Sequence, residues 1–190
     1  MVSTRDQIIA TTCDLLEAQG YHATGLNQII KESGSPKGSL YYHFPGGKEE
    51  LAAEAVNHVG RIVLQRIRDN LAEVENPAES ISVFIKNIAL NVERSGFRAG
   101  GPITTVAMEK ASTSVTLREA CQHIYSEWQK AFASKLKAGG IAETRAERLA
   151  VLIISAIEGG VILCRTNQNR APLEQVADEI NALVKHVLFL

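Results

Sequence analysis

The sequence predicts an all-α protein. Apolar residues recur at the three-and-four spacing of a helix, and capping residues, glycines and prolines punctuate the chain between those runs. Little of the chain reads as strand. Ser3-x-x-Asp6 resembles a capping box and opens a first helix carrying Ile8, Ile9, Leu15 and Leu16, which stops at Gly20. Leu26, Ile29 and Ile30 mark a short second helix, ended by Gly34, which accepts the left-handed backbone of a helix C-terminus. A third helix follows at once. Ser35 can cap it, and Pro36 suits its first turn, where a missing N–H costs nothing. Leu40 and Phe44, four apart, face inward, which puts Lys37 and Tyr41 on another face with Ser39, Tyr42 and His43 nearby. Gly38 leaves a bare patch through which a backbone can approach a phosphate.

Gly46-Gly47 breaks the chain before a long helix from Lys48 to about Glu73, striped by Leu51, Ala55, Val59, Ile62 and Ile67. Asn76-Pro77-x-Glu79 starts a fifth helix, with Ile81, Phe84, Ile85, Ile88 and Val92 inward. Gly96, Gly100, Gly101 and Pro102 make the clearest loop, followed by a short segment with Val106 and Met108. Thr116-x-x-Glu119 lies near the start of a helix carrying Leu117, Cys121, Ile124, Trp128 and Phe132, which ends at Gly139-Gly140. From about Thr144 to Thr166 the chain is apolar nearly all round, so that helix must be covered on most sides. Gly159 and Gly160 each cost about 1 kcal/mol there relative to alanine, which makes sense if another backbone packs close. Pro172 opens a final helix with Val176, Ile180, Leu183, Val184 and Val187, giving about nine helices.

A chain of 190 residues can bury a sizeable core. Its formal net charge of −1 does not make it a general polyanion binder. The first fifty residues set Arg5, Lys31, Lys37 and Lys48 against Asp6, Asp14, Glu17, Glu32, Glu49 and Glu50. That balance leaves few ionic contacts for any polyanion, whose specific binding would then need hydroxyls, backbone N–H groups and more than one subunit. Cys13, Cys121 and Cys164 are too few and too scattered for a disulfide framework or a zinc site, and buried thiols are expected. No charged-then-apolar signal opens the chain, and the apolar stretch Leu149 to Cys164 is too short to span a bilayer. A cytoplasmic protein without a membrane partner is expected. No catalytic signature is present, and no cofactor or metal is expected: HExxH, paired CxxC and G-x-S-x-G are missing, and Gly46-Gly47-Lys48 lacks the rest of a phosphate loop. Glu54 and His58, four apart, read as a solvated helical pair, and His123 as an ordinary core or surface histidine.

The run Gly34-x-x-x-Gly38-x-Leu40-Tyr41-x-His43-Phe44, followed by Lys48-Glu49-Glu50-Leu51, resembles the DNA-binding domain of TetR-family transcriptional repressors. The likeness is greatest to the drug- or flavonoid-responsive subgroup with an extra glycine before the lysine, and it is sharp over roughly residues 5 to 56. It implies a three-helix helix-turn-helix domain over 1–47 and a larger helical ligand-binding and dimerisation domain over 48–190. Carried over by position, Thr24, Tyr41, His43 and Lys48 resemble phosphate contacts, while Lys37, Gly38, Ser39 and Tyr42 lie on the segment facing base edges. Two departures stand out. Ser35-Pro36 replaces the family's usual apolar residue and hydroxyl, and the Gly46-Gly47 pair shifts the reach of Lys48.

The resemblance also implies a homodimer on a palindromic operator in double-stranded DNA, responsive to a lipophilic or aromatic effector. The last two helices are then the dimer surface, with Ile153, Ile157, Gly160, Val161, Ile180 and Val184 at the seam. Phe84, Phe97, Met108, Tyr125 and Trp128 are scarce aromatic or soft side chains that could line an apolar pocket, with Phe132 beside them, though plain core explains each singly. Glu158, in an otherwise apolar helix, faces solvent, caps a neighbouring helix or meets a polar ligand group. The alternative is a helical interaction protein that keeps the fold but reads no DNA, which the acidic N-terminal balance favours.

Overall fold

The computed structural model describes residues 3–188. Among them are nine helices and no strand: α1 (Thr4–Ala23), α2 (Leu26–Ser33), α3 (Lys37–His43), α4 (Gly47–Glu73), α5 (Pro77–Arg94), α6 (Pro102–Lys110), α7 (Val115–Ala138), α8 (Glu143–Asn167) and α9 (Ala171–Leu188). Local chemistry sets most of the ends. Ser3 Oγ accepts from the Asp6 N–H, Asn76 Oδ1 accepts from the Glu79 N–H, and Gly34 closes α2 in the left-handed conformation. Three ends differ from expectation. At Gly20 (φ 79°) α1 kinks and runs on to Ala23. The cap of α7 is Ser114, two residues before Thr116, because its hydroxyl reaches the Leu117 N–H at 3.1 Å. Ser35 does not cap α3: Pro36 holds that position, and the Ser35 hydroxyl is buried without a hydrogen-bond partner.

The chain forms two compact units, Met1–Ile62 with Gly101–Ile124, and Val63–Gly100 with Tyr125–Leu190. In the first, Ile8, Ile9 and Leu16 of α1, Ile29 of α2, Leu40 and Phe44 from the α3 segment, Leu51 of α4 and Ile103 of α6 are all at most 2% exposed. Each such side chain contributes about 1.5–3 kcal/mol of burial. Glu54 bonds Arg5 rather than pairing with His58. At Gly60 a side chain has no room, because a Cβ there would lie 2.4 Å from Ile124 Cδ1 and 2.5 Å from its Cγ1.

In the second unit α5 packs along α9, and α8 packs on both. Ile81, Ile85, Ile153, Leu173, Ala177 and Val184 are sealed in that interior. Lys86–Asp178 and Arg170–Glu93, both 2.8 Å, tie α5 to the last segment as exposed pairs worth about 0–1 kcal/mol each. At the paired glycines, where the sequence predicts another backbone packed close, one meets side chains of α9 and the other meets nothing. A Cβ on Gly160 would meet Leu173 Cδ2 at 2.6 Å, whereas one on Gly159 would meet nothing within 4 Å. The stretch Leu149–Cys164 alone is short for a membrane span, yet α8 as a whole is long and apolar enough by length and composition. Its inner face nevertheless packs on α9 and α5, as a core helix does.

Gly60→Ala is expected to lower the unfolding free energy by about 1–3 kcal/mol through overpacking, outweighing the roughly 1 kcal/mol that alanine adds as a helix former. Urea denaturation checks it; an unshifted midpoint would show that Ile124 yields at little cost.

Candidate nucleic-acid interface

The burial of Leu40 and Phe44, at 0% and 1% exposure, turns the rest of α3 outward. Tyr41 is 45% and Tyr42 82% exposed, with Lys37 and Gly38 on the same open surface and Ser39 and His43 half-buried. A Cβ on Gly38 would meet nothing within 4 Å, so a partner can come up to the backbone there. Tyr42 meets the His43 ring edge-on at a centroid distance of 5.1 Å. This seven-residue helix thus shows Lys37, Gly38, Tyr41 and Tyr42 to the outside.

Two of the residues expected to contact phosphate make contacts within the fold. Thr24 is buried, and its hydroxyl donates to Gly20 O at 2.7 Å while its N–H points back to Tyr21 O. Its one hydroxyl proton is therefore spent inside the fold, bracing the kink of α1. The N-cap of α2 is Gly25, with no side-chain cap. Lys48, half-buried, folds back toward α1: its Nζ lies 4.3 Å from the centroid of the Tyr21 ring. Burial, the largest cause, and the neighbouring Lys110 lower its pKa, against an opposing pull from Glu109. At the start of α4 the Gly46 N–H donates to Glu50 Oε2 at 2.7 Å, so a carboxylate already occupies that end.

Sequence reasoning missed Tyr21, His22, Glu109 and Lys110. Lys110 Nζ lies 5.2 Å from the same Tyr21 centroid, and Glu109 accepts the His22 N–H at 2.8 Å. Gly20 makes room for that carboxylate, since a Cβ there would fall 2.2 Å from Glu109 Oε1. No local signal announces these contacts, because α1 and α6 are far apart in sequence.

The expected pocket residues are only partly gathered. Tyr125 meets Trp128 edge-on at 5.5 Å, and its hydroxyl donates to Glu158 Oε1 at 3.3 Å, so the odd carboxylate of α8 has a polar neighbour. Phe84 packs on Phe132 at 5.6 Å. Phe97 sits in the α5–α6 loop with a positive φ of 59°. Met108 is 78% exposed. An open groove of about 280 Å³ runs between α7 and α8 past Gln129, Lys130, Lys137 and Glu147, and none of the expected pocket residues borders it.

The six residues expected at a dimer seam lie inside the protomer. Ile153 and Val184 are 0% exposed and Ile157, Val161 and Ile180 at most 8%, while Gly160 is buried under α9. The opposite side of α8 is the open one: Val151, Leu152, Ile162 and Leu163 are 45–52% exposed, with Ser155 and Gly159 between them.

Among the described residues no cluster of three or more His, Cys, Asp or Glu could hold a metal. All three cysteines are buried and free. Burial pushes the Cys13 thiol up to about 12 and the Cys121 thiol up to about 11, from 9.0. Thiols whose folded pKa is raised stabilise the protein fully below the unfolded value, and that contribution is lost as pH climbs from about 9 toward 12. All three are expected to resist an aromatic disulfide reagent at pH 8 until urea unfolds the chain, and stability to decline above pH 9. Rapid labelling of the native protein would show that a thiol is accessible.

Residues 8–55 match the tetR family of bacterial regulatory proteins, and residues 77–179 match the C-terminal domain of LmrA/YxaF-like transcriptional regulators. The chain is 46% identical over 182 residues to the uncharacterized HTH-type transcriptional regulator YxaF of Bacillus subtilis, covering 96% of this chain and 95% of that protein. It is 42% identical over 182 residues to the HTH-type transcriptional regulator LmrA of the same organism, covering 96% and 97%. Among solved structures, a TetR transcriptional regulator from Chloroflexus aurantiacus superposes with a TM-score of 0.79 at 30% identity, covering 96% of this chain and 94% of that one.

Proposed function

The chain belongs to the TetR family as a DNA-binding helix-turn-helix transcriptional regulator, and from that premise we propose that it is a homodimeric repressor acting on a palindromic operator. The observation that carries this reading is the outward face of α3, with Lys37, Gly38, Tyr41 and Tyr42. Such a helix enters the major groove, and a dimer places two of them in half-sites about 34–36 Å apart or a multiple of that. Lys37 donates to guanine O6 and N7, Ser39 and Tyr42 face base edges, and Tyr41 and His43 hold phosphates. Residues 1–47 then form the reading head and 48–190 the part that dimerises and binds effector.

The dimer uses the open side of α8. Val151, Leu152, Ile162 and Leu163 form an apolar stripe at helical spacing, and Gly159 within it lets a second backbone come close. A second copy meeting the same stripe gives a two-fold interface. The effector is a lipophilic or aromatic compound of the drug or flavonoid kind, with Tyr125, Trp128 and Glu158 the group suited to receive it. It works only through different affinities for two states of the protein, and α4, with residues in both compact units, is the element through which those states differ. The bacterial cytoplasm is the setting, and a neighbouring efflux or degradation function the target.

Fluorescence anisotropy against duplex DNA from immediately upstream of the protein's own gene tests the reading. Wild type is expected to bind it in the presence of unrelated competitor, and Lys37→Ala to bind about 10-fold more weakly, a loss in the range of one good base contact. Equal affinity of wild type and variant would remove Lys37 from the base-reading face. Leu163→Glu is expected to shift the protein from dimer to monomer in light scattering, and a persisting dimer would place the interface on another surface.

A further inference from the structure

Lys110 is the one cation of α6, and it meets α1 and α4 over a single aromatic ring. The ammonium groups of Lys48 and Lys110 lie 4.3 and 5.2 Å from the Tyr21 centroid. Tyr21 is 9% exposed, which fixes the ring as a platform, while both lysines are half-buried with part of their length in water. Among the described residues neither ammonium forms an ion pair. Two carboxylates lie nearby without pairing: Glu109 accepts the His22 N–H at 2.8 Å and still draws on Lys48, and Glu49 accepts the Ser114 hydroxyl. Two like charges on one ring repel each other, and neighbouring backbone phosphates beside them, one to each ammonium, relieve that repulsion.

We propose that Lys48, Tyr21 and Lys110 form a phosphate-binding clasp, so that α6 contributes a DNA-backbone contact alongside the helix-turn-helix. The proposal rests on the DNA-binding reading above. Its chemistry is that of a phosphodiester: two ammoniums converging on the rim of one ring neutralise backbone charge and read no base. In a head with more carboxylates than ammoniums, a cation supplied from residue 110 matters. It also explains why Lys48 can lie on Tyr21 rather than reach out alone. Lys110 comes to the same ring, and the pair presents charge together.

The test is the salt dependence of binding to a duplex that the wild-type protein recovers from a random-sequence pool, with a shuffled duplex of equal length beside it. Affinity for B-DNA falls with a logarithmic slope of about −0.9 per phosphate neutralised, so a dimer with two Lys110 contacts changes the slope by about 1.8 when both are removed. Lys110→Gln is therefore expected to give a flatter line. Between about 50 and 200 mM salt it should lose about 12-fold less affinity than wild type loses. Lys110→Arg should keep the wild-type slope, and the loss in Lys110→Gln should be the same on both duplexes. Parallel salt lines for wild type and Lys110→Gln would overturn the clasp, whatever happens to the melting temperature, and would confine Lys110 to packing on Tyr21. If wild type recovers no duplex at all, the DNA-binding reading fails and the clasp falls with it, an outcome distinct from parallel lines.

Discussion

Leu40 and Phe44 are buried in the interior of the N-terminal unit, and this burial decides which way α3 faces. A seven-residue helix is too short to persist on its own, so tertiary packing must hold it. With two of its contacts locked inward, the 100° step of the helix leaves Lys37, Gly38, Tyr41 and Tyr42 outward whatever their own preferences. The exposure of Tyr42 gains nothing for the fold, since its ring would be better buried. Its value lies in what it can meet outside. The Ser35 hydroxyl, buried without a partner in the turn before α3, is a second place where local optimality is absent.

The same logic of two faces governs α8. The helix looks uniformly apolar in sequence, and the fold divides it. Ile153, Ile157 and Val161 pack inside the protomer, while Val151, Leu152, Ile162 and Leu163 remain open. Adjacent glycines make the division plain. Gly160 lets α9 approach to within the reach of a methyl group, and Gly159, one step round the helix, faces empty space. Replacing Gly160 would strain a packed contact, whereas Gly159 carries its helix-propensity cost with no compensation inside the protomer. A partner's backbone would supply that compensation.

Charge is scarce where a nucleic-acid reader needs it, and the fold spends much of it internally. Arg5 bonds Glu54, and Lys48 and Lys110 lie over the Tyr21 ring. Thr24 gives its hydroxyl proton to the kink of α1. The exposed surface of α3 is thus dominated by hydroxyl, aromatic and backbone groups, which suit oriented, short-range recognition better than long-range attraction.

What the sequence by itself determined was whatever depends on near neighbours along the chain. Helix number, the Ser3 and Asn76 caps, the left-handed stop at Gly34 and the inward pair Leu40–Phe44 follow from spacings of three and four residues and from intrinsic backbone preferences. The family resemblance rests on the same short run. Tertiary structure decided what requires two distant segments to meet. It turned Ile153 and Val184 inward rather than toward a second copy, since an all-apolar helix carries no mark of which side its own protomer will cover. It drew Thr24 and Lys48 into contacts with the end of α1, left Met108 on the surface, and brought Lys110 to Tyr21. Residues so far apart in sequence share no periodicity, and only the packing of α6 on α1 makes them neighbours.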